Sequence, residues 1–192
     1  MDLGLRPALR GRLDRLAAMV RDEIAPLDAE FHAEVATGDR WQFTPRQTEI
    51  LDGLKARARA EGLWNLWQTG APDDGGLRAV DYAFFAEEMG RSALAPEVFN
   101  CNAPDTGNME VLHRYGSEKM RARWLGPLMD GEIRSAYLMT EPEVASSDAT
   151  NIAMSCIRDG DDYVLDGEKW WATGAGDPRC AVHVVMVRTG DD

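Results

Sequence analysis

The spacing of apolar residues changes once along this chain, at Gly131, and that change constrains the fold more than any other feature. Before Gly131, apolar side chains recur every three or four residues, as on one face of an amphipathic helix. After Gly131, short runs rich in β-branched and aromatic residues alternate with Gly and Asp, which is typical of strands joined by turns. The sequence therefore predicts an α+β chain. An all-α helical domain over residues 1–131 is followed by a partial antiparallel β-domain over residues 132–192.

Residues with known preferences for helix ends divide the first domain. Pro26 should bend the first helix, because proline has no backbone N–H to donate. Thr44 and, three residues later, Gln47 predict the start of a second helix, which ends near Gly62. The composition of residues 69–78 indicates a loop. Further helices are predicted, with connections of bundle type, over residues 80–90, 107–116 and 117–131.

Five segments of the second domain have strand character, and they include "EKWWAT", residues 168–173. The others are residues 133–139, 152–159, 163–167 and 181–188. A sheet of so few strands would leave an edge and a face exposed. We therefore expect the sequence to be part of a longer protein, with a genuinely short protein as the less favoured alternative.

The composition excludes several classes of partner. The formal net charge of −12 would repel nucleic acid. No apolar run approaches the roughly 20 residues that cross a bilayer, and the N-terminus lacks the continuous apolar core of a secretory signal. The cysteines Cys101, Cys156 and Cys180 are widely spaced, which fits a reducing compartment and indicates neither a disulfide framework nor a metal site. We expect a cytoplasmic location.

Two predicted strand ends are rich in hydrogen-bonding groups. The first, "YLMTEPEVASSDAT" at residues 137–150, offers the Thr140 hydroxyl, backbone groups and a Ser-Ser-Asp turn. In the second, "EKWWATGAG", strand alternation would put Trp170 and Trp171 on opposite faces and Thr173 on the face of Trp171. A flat ring beside a hydroxyl suits a planar heteroaromatic ligand with polar edges. The plainer interpretation is that Trp171 packs in a sheet core and Thr173 is an ordinary strand residue.

These segments resemble the signatures of the acyl-CoA dehydrogenase flavoprotein family, and most closely those of the subgroup of family members 10 and 11. "MTEPEVASSDATN" is similar to the first signature of the family, and "DGEKWWATGAGDP" to its second flavin segment. Before them, "GAPDDGG", "FAEEMGRS", "APDTGNMEVLHRYGSE" and "RWLGPLMDGEIRSA" follow in the order of the family. Because separate motifs agree in order and spacing, the resemblance outweighs the plainer interpretation.

The resemblance implies a three-domain fold, of which the C-terminal helical domain lies outside this sequence. It implies non-covalent FAD and a reaction in which a carboxylate removes the α-proton of an acyl-CoA while the β-hydrogen leaves as hydride to flavin N5, as in fatty acid β-oxidation. The family's base lies in the C-terminal domain, so no catalytic residue is expected here, and Glu141 is expected to be structural. An electron-transfer flavoprotein as acceptor and a homodimer or homotetramer are also implied.

The resemblance also assigns site residues by position. The flavin pyrimidine edge is held by the Thr140 hydroxyl and by backbone groups of four residues, Tyr137, Leu138, Met139 and Thr140. Ser147 corresponds to the serine near the pyrophosphate and the thioester substrate. An extra residue between Pro142 and Asp148 leaves open whether Ser146 or Ser147 faces the cofactor, and the subgroup favours Ser147.

In the second segment, the resemblance places Trp171 and Ala172 beside the flavin ring. Thr173 donates its hydroxyl towards N5, where developing charge needs a preorganised dipole.

Two other functions remain open on the sequence. A same-fold acyl-CoA oxidase or flavin monooxygenase would pass electrons to oxygen. A non-catalytic remnant would serve as an assembly module and would be colourless when purified.

Overall fold

The computed structural model describes residues 3–39, 41–68 and 76–190. The chain divides into two compact units, Met1–Thr106 and Gly107–Asp192. A helical part followed by a small sheet region confirms the predicted fold class. Residues 69–75 of the predicted loop lie outside the described residues.

The first unit begins with a helical segment from Pro7 to Thr37 that is irregular in its middle. A π-helical turn over Val20–Ile24 and a 3-10 turn over Ala25–Leu27 separate two α-helices. The interruption surrounds Pro26, which has no N–H for the helical hydrogen-bond pattern, as the sequence predicts. The α-helices of this unit are α1 (Arg10–Met19), α2 (Asp28–Glu34), α3 (Pro45–Ala60), α4 (Ala79–Met89) and α5 (Ala95–Val98).

Both ends of α3 agree with the sequence signals. Thr44 Oγ1 accepts the N–H of Gln47 at 3.1 Å, and Gln47 Oε1 accepts the N–H of Thr44 at 3.0 Å, which completes a capping box. At the other end, Gly62 has a φ of 67° and the N–H of Leu63 bonds to the Ala58 carbonyl at 2.9 Å. That arrangement is a Schellman motif, for which glycine is the favoured residue.

Helices α1 to α5 each contribute to one hydrophobic core. Leu16, Leu51 and Phe85 are among its fully buried side chains, and burial of such a side chain stabilises the fold by about 1.5–3 kcal/mol. The buried carboxylate of Asp81 accepts 2.8 Å hydrogen bonds from the Nε atoms of Arg6 and Arg78. Hydrogen bonds from Arg78 and Arg6 hold the pKa of Asp81 well below its usual range, so the carboxylate stays charged and ties the N-terminal segment to α4.

The second unit consists of short helices and two pairs of strands. Its strands are β1 (Arg134–Leu138), β2 (Ser155–Asp159), β3 (Asp162–Asp166) and β4 (Cys180–Val185). The helices that precede them are α6 (Asp105–Tyr115), α7 (Glu118–Met120), a π-helical turn (Arg121–Leu125) and α8 (Gly126–Met129). Inside this unit, α6 contacts β1, because the buried Asn108 side chain donates to Ser135 Oγ at 2.9 Å.

The two strand pairs differ in direction. β2 and β3 form the predicted antiparallel hairpin, with Ile157 opposite Val164. β1 and β4 are parallel, with Leu138 opposite Val185, so the antiparallel pairing predicted from the sequence holds for only one pair. The reason is the long connection between β1 and β4, which returns the chain to the edge of β1 in its original direction, as a parallel pair requires.

The predicted strand "EKWWAT" is wrong as a strand. Residues 168–172 have no regular secondary structure and residue 173 begins a turn. Trp171 has a φ of 54°, a left-handed conformation that ends the two-residue alternation of an extended chain. The argument that placed Trp170 and Trp171 on opposite faces of a strand therefore does not apply.

Candidate functional site

The end of β1 has one edge paired and one edge open. The Leu138 carbonyl accepts the N–H of Met186 at 2.9 Å, so the backbone of Leu138 faces β4. Backbone groups alternate in direction along a strand, so those of Tyr137 and Met139 face away from β4. Within the described part of the chain no strand pairs with this second edge.

The segment of residues 169–174 runs beside the open edge. The ammonium of Lys169 donates to the Met139 carbonyl at 3.0 Å, and the N–H of Trp170 donates to the Thr140 carbonyl at 3.1 Å. At the far end, a methyl group added at Gly174 would lie 3.3 Å from the carbonyl oxygen of Ser135. Residues 171–173 therefore lie between a contact with the two residues that follow β1 and a contact with Ser135 inside β1.

The candidate cofactor residues of this segment are accessible. Trp171 is 80% exposed, and its ring meets that of Trp170 edge-on with centroids 5.8 Å apart. Thr140 and Thr173 are exposed as well, and Ala172 is half-buried. The structure thus brings the two predicted segments together and leaves their hydroxyls and the larger ring surface open to a ligand.

The two adjacent serines have different surroundings. Ser146 is buried, and its Oγ accepts the N–H of Glu141 at 2.7 Å. Ser147 is exposed. Asp148, which follows, accepts hydrogen bonds from the N–H and hydroxyl of Thr150 at 3.0 and 2.7 Å. Of the two serines, Ser147 is therefore the one whose hydroxyl can reach a ligand.

A buried ion pair links the candidate segments. Lys169 Nζ lies 2.7 Å from Glu141 Oε1, and each side chain is only 5% exposed. The Glu141 carboxylate also accepts the N–H groups of Ala153 at 2.8 Å and Met154 at 3.0 Å. Burial alone would raise the pKa of Glu141, but the ammonium of Lys169 and the two amides outweigh it and lower the pKa to about 2. The carboxylate is thus fully engaged in structure, as its predicted structural role requires.

Sequence reasoning missed Lys169. The signal was present as a lysine two residues before Trp171, inside the second motif. Its partner lies 28 positions away, and nothing local to the sequence marks such a pair.

Arg188 forms hydrogen bonds with the backbone of the residues that follow Ser147. The guanidinium of Arg188 donates to the carbonyls of Ile152 at 3.0 Å and Thr150 at 2.9 Å. It contributes to a cavity of about 420 Å³, which is lined by Ala149, Thr150, Ile152, Val187, Arg188, Thr189 and Gly190.

The described residues contain neither a candidate metal cluster nor a candidate membrane-spanning helix. No group of three His, Cys, Asp or Glu side chains is arranged to hold a metal ion in residues 3–39, 41–68 and 76–190. Over the same ranges, no helix is both long enough and apolar enough to span a membrane.

Comparison with known proteins gives matches over almost the whole chain. The acyl-CoA dehydrogenase N-terminal domain family matches residues 13–132, and the acyl-CoA dehydrogenase middle domain family matches residues 136–192. The chain is 47% identical over 191 residues to acyl-CoA dehydrogenase family member 10 of Mus musculus, covering 97% of this chain and 18% of that relative. It is 57% identical over 140 residues to family member 11 of Homo sapiens, covering 73% of this chain and 18% of that relative.

Solved structures agree with these matches. A structure described as a putative acyl-CoA dehydrogenase from Mycobacterium abscessus is 44% identical, with a TM-score of 0.86, and the match covers 98% of this chain and 48% of that chain. An FAD complex of PigA, at 20% identity and a TM-score of 0.69, shares the fold over 100% of this chain and 46% of that chain. The chain therefore spans less than half the length of each of these similar proteins.

Proposed function

The chain belongs to the acyl-CoA dehydrogenase family, and we propose that it is the N-terminal part of an FAD-dependent acyl-CoA dehydrogenase. In this proposal the whole protein introduces an α,β double bond into an acyl-CoA thioester. An electron-transfer flavoprotein accepts the electrons, and the protein assembles as a homodimer or homotetramer. The PigA structure is a complex with FAD, and FAD is carried over to this chain as part of the same proposal.

The open edge of β1 is the observation that carries the proposal. This edge presents the carbonyl of Tyr137 and the N–H of Met139, neither of which has a partner within the described part of the chain. The exposed hydroxyl of Thr140 follows them. A flavin pyrimidine ring carries both an N–H donor and carbonyl acceptors, so one acceptor and two donors can bind groups along its edge.

Hydrogen bonds within the chain already engage three backbone carbonyls at the end of β1, which leaves fewer groups there for direct contact with the flavin. The carbonyls of Leu138, Met139 and Thr140 already accept from Met186, Lys169 and Trp170. Leu138 therefore supports the site through β4, while Tyr137, Met139 and Thr140 remain as the residues that hold the pyrimidine edge.

The segment beside the open edge supplies the remaining contacts. Trp171 offers a largely exposed ring for the flavin to cover, and the backbone of Ala172 lies next to it. The Thr173 hydroxyl is exposed and able to donate towards N5. When bound, FAD supplies N5 as the hydride acceptor, and a donor fixed there stabilises the charge that develops in the transition state.

Ser147 is proposed to contact both the pyrophosphate and the thioester substrate. Its hydroxyl is exposed, whereas that of Ser146 is used inside the turn. The catalytic base is proposed to lie outside residues 1–192. Glu141 is unsuited to that role, because Lys169 and two amides already engage its buried carboxylate and lower its pKa, which makes it a weak base.

An anaerobic titration of the full-length protein tests this function. Addition of an acyl-CoA should bleach the visible absorption of bound flavin, and an electron-transfer flavoprotein should restore it. Hydrogen peroxide as the main product in air would identify an oxidase instead. A purified protein without flavin that also fails to bind added FAD would support the assembly module and contradict the proposal.

A further inference from the structure

The three segments that carry the proposed flavin and substrate contacts are joined by one ion pair. The end of β1 contributes Met139, the turn after it contributes Ser146, and the segment beside the open edge contributes Lys169. Glu141 follows the end of β1 directly in sequence. Its N–H donates to Ser146 Oγ, and its carboxylate accepts from Lys169 and from the amides that precede β2.

Lys169 supplies two of the contacts that join the segment beside the open edge to the end of β1. That segment has no strand ladder, so its position depends on individual contacts. Two of them come from the Lys169 ammonium, to Glu141 Oε1 at 2.7 Å and to the Met139 carbonyl at 3.0 Å. Trp171, two residues later, is then free to expose its ring at a left-handed φ.

A buried ion pair is an expensive way to stabilise a fold. The cost of removing both charges from water often equals or exceeds their attraction, and apolar replacements of both partners are frequently as stable. Here each side chain is 5% exposed. The pair does, however, fix a distance and a direction between two segments, which an apolar contact specifies less sharply.

We propose that Glu141 and Lys169 form a positioning pair that sets the segment of residues 169–173 against the end of β1 at the spacing that FAD requires. Neither residue touches the cofactor in this proposal, which rests on the proposed function. Misplacement of a contacting segment by about 1 Å can weaken a preorganised site by orders of magnitude. Loss of the pair should thus affect FAD affinity more than folding.

The test uses the full-length protein and a double variant, Glu141→Gln with Lys169→Met, which removes both charges without leaving one of them buried alone. FAD affinity is measured by titration of the apoprotein, and folding by the thermal unfolding midpoint of the same apoprotein. We expect FAD to bind about 10-fold or more weakly, with a parent-like cooperative unfolding transition. The visible spectrum of the bound flavin at saturation should shift towards that of free flavin.

The chain offers a matched control in the ion pair of Lys55 and Glu97. This pair has a similar length of 2.8 Å, its side chains are 12% and 17% exposed, and it lies in the first unit, remote in sequence from the site. The double variant Lys55→Met with Glu97→Gln should change the unfolding midpoint without changing FAD affinity or the flavin spectrum.

Four results would overturn the inference. Parent-like FAD affinity and spectrum in the Glu141/Lys169 double variant would show that the pair does not position the site. Equal loss of affinity in the control variant would show a general effect of stability. A Glu141/Lys169 double variant without a cooperative unfolding transition would assign the pair to the fold itself. Absence of FAD binding by the parent protein would overturn the proposed function and this inference together.

Discussion

Thr173 is exposed and has a proposed role at flavin N5, so its substitution should affect the reaction much more than the stability of the fold. Its side chain lies in a turn at the open edge of β1. Thr173→Ala should lower the rate of flavin reduction by roughly 10- to 1000-fold, the usual contribution of one preorganised donor. The free energy of unfolding should change by about 1 kcal/mol or less. Stopped-flow reduction and denaturant unfolding measure the two, and an unchanged reduction rate would remove Thr173 from the site.

Substitution of Ser146 should affect stability, whereas substitution of Ser147 should affect ligand binding. Ser146→Ala leaves the buried N–H of Glu141 without its acceptor at 2.7 Å, so the free energy of unfolding should fall by about 1–3 kcal/mol. Ser147→Ala changes an exposed residue and should leave stability within about 0.5 kcal/mol. It should instead raise the KM for acyl-CoA or weaken FAD binding. If Ser147→Ala is silent in both ligand measurements while Ser146→Ala impairs them at unchanged stability, the assignment of the two serines must be exchanged.

The ion pair between the end of β1 and the segment beside it should make the free energy of unfolding fall at low pH. Glu141 has a pKa lowered to about 2, compared with about 4.3 in an unfolded chain. A depressed carboxyl pKa stabilises the fold above the unfolded value, and that contribution is lost as the pH falls towards the folded value. The parent protein should therefore lose stability between about pH 4.5 and pH 2.

The double variant Glu141→Gln with Lys169→Met isolates this contribution. Asp81 also has a depressed pKa and contributes acid sensitivity to both proteins, so the difference between parent and variant is the informative quantity. Denaturant unfolding at several pH values should show that the free energy of unfolding falls less steeply in the variant over this range. Parallel profiles would mean that Glu141 titrates normally in the folded protein.

Elements that depend on residues close together in the sequence could be predicted from it. The start of α3 depends on Thr44 and Gln47, three residues apart, and its end on Gly62, so propensity and capping sufficed. The parallel pairing of β1 with β4 depends on where a long connection returns the chain, and no short pattern encodes that. The positive φ of Trp171 could not be predicted from the sequence either, because the residues that usually adopt such a conformation are glycine and asparagine.

Some features of the candidate site could also be predicted from the sequence, and others could not. Its two segments were visible in the motifs around Thr140 and Thr173. The burial of Ser146 beside an exposed Ser147, and the contact of Lys169 across 28 positions, could not be predicted from the sequence. Both depend on packing between segments, which one sequence does not specify.

At the scale of the whole molecule, residues 1–192 should bind the flavin poorly and should not catalyse dehydrogenation by themselves. They offer one side of the proposed ring pocket, and Glu141 is committed to Lys169. The measurement is the reduction of an electron-accepting dye by acyl-CoA with the purified 192-residue chain and, in parallel, with the full-length protein. Turnover by the shorter chain above the protein-free rate would show that a base lies within it.

A crystal structure of the full-length protein with FAD would show whether the open edge of β1 is the flavin site. We expect hydrogen bonds between the flavin pyrimidine edge and the N–H of Met139, the carbonyl of Tyr137 and the hydroxyl of Thr140, with the ring beside Trp171 and N5 near Thr173. FAD bound elsewhere, with the open edge of β1 closed by another strand of the protein, would contradict it.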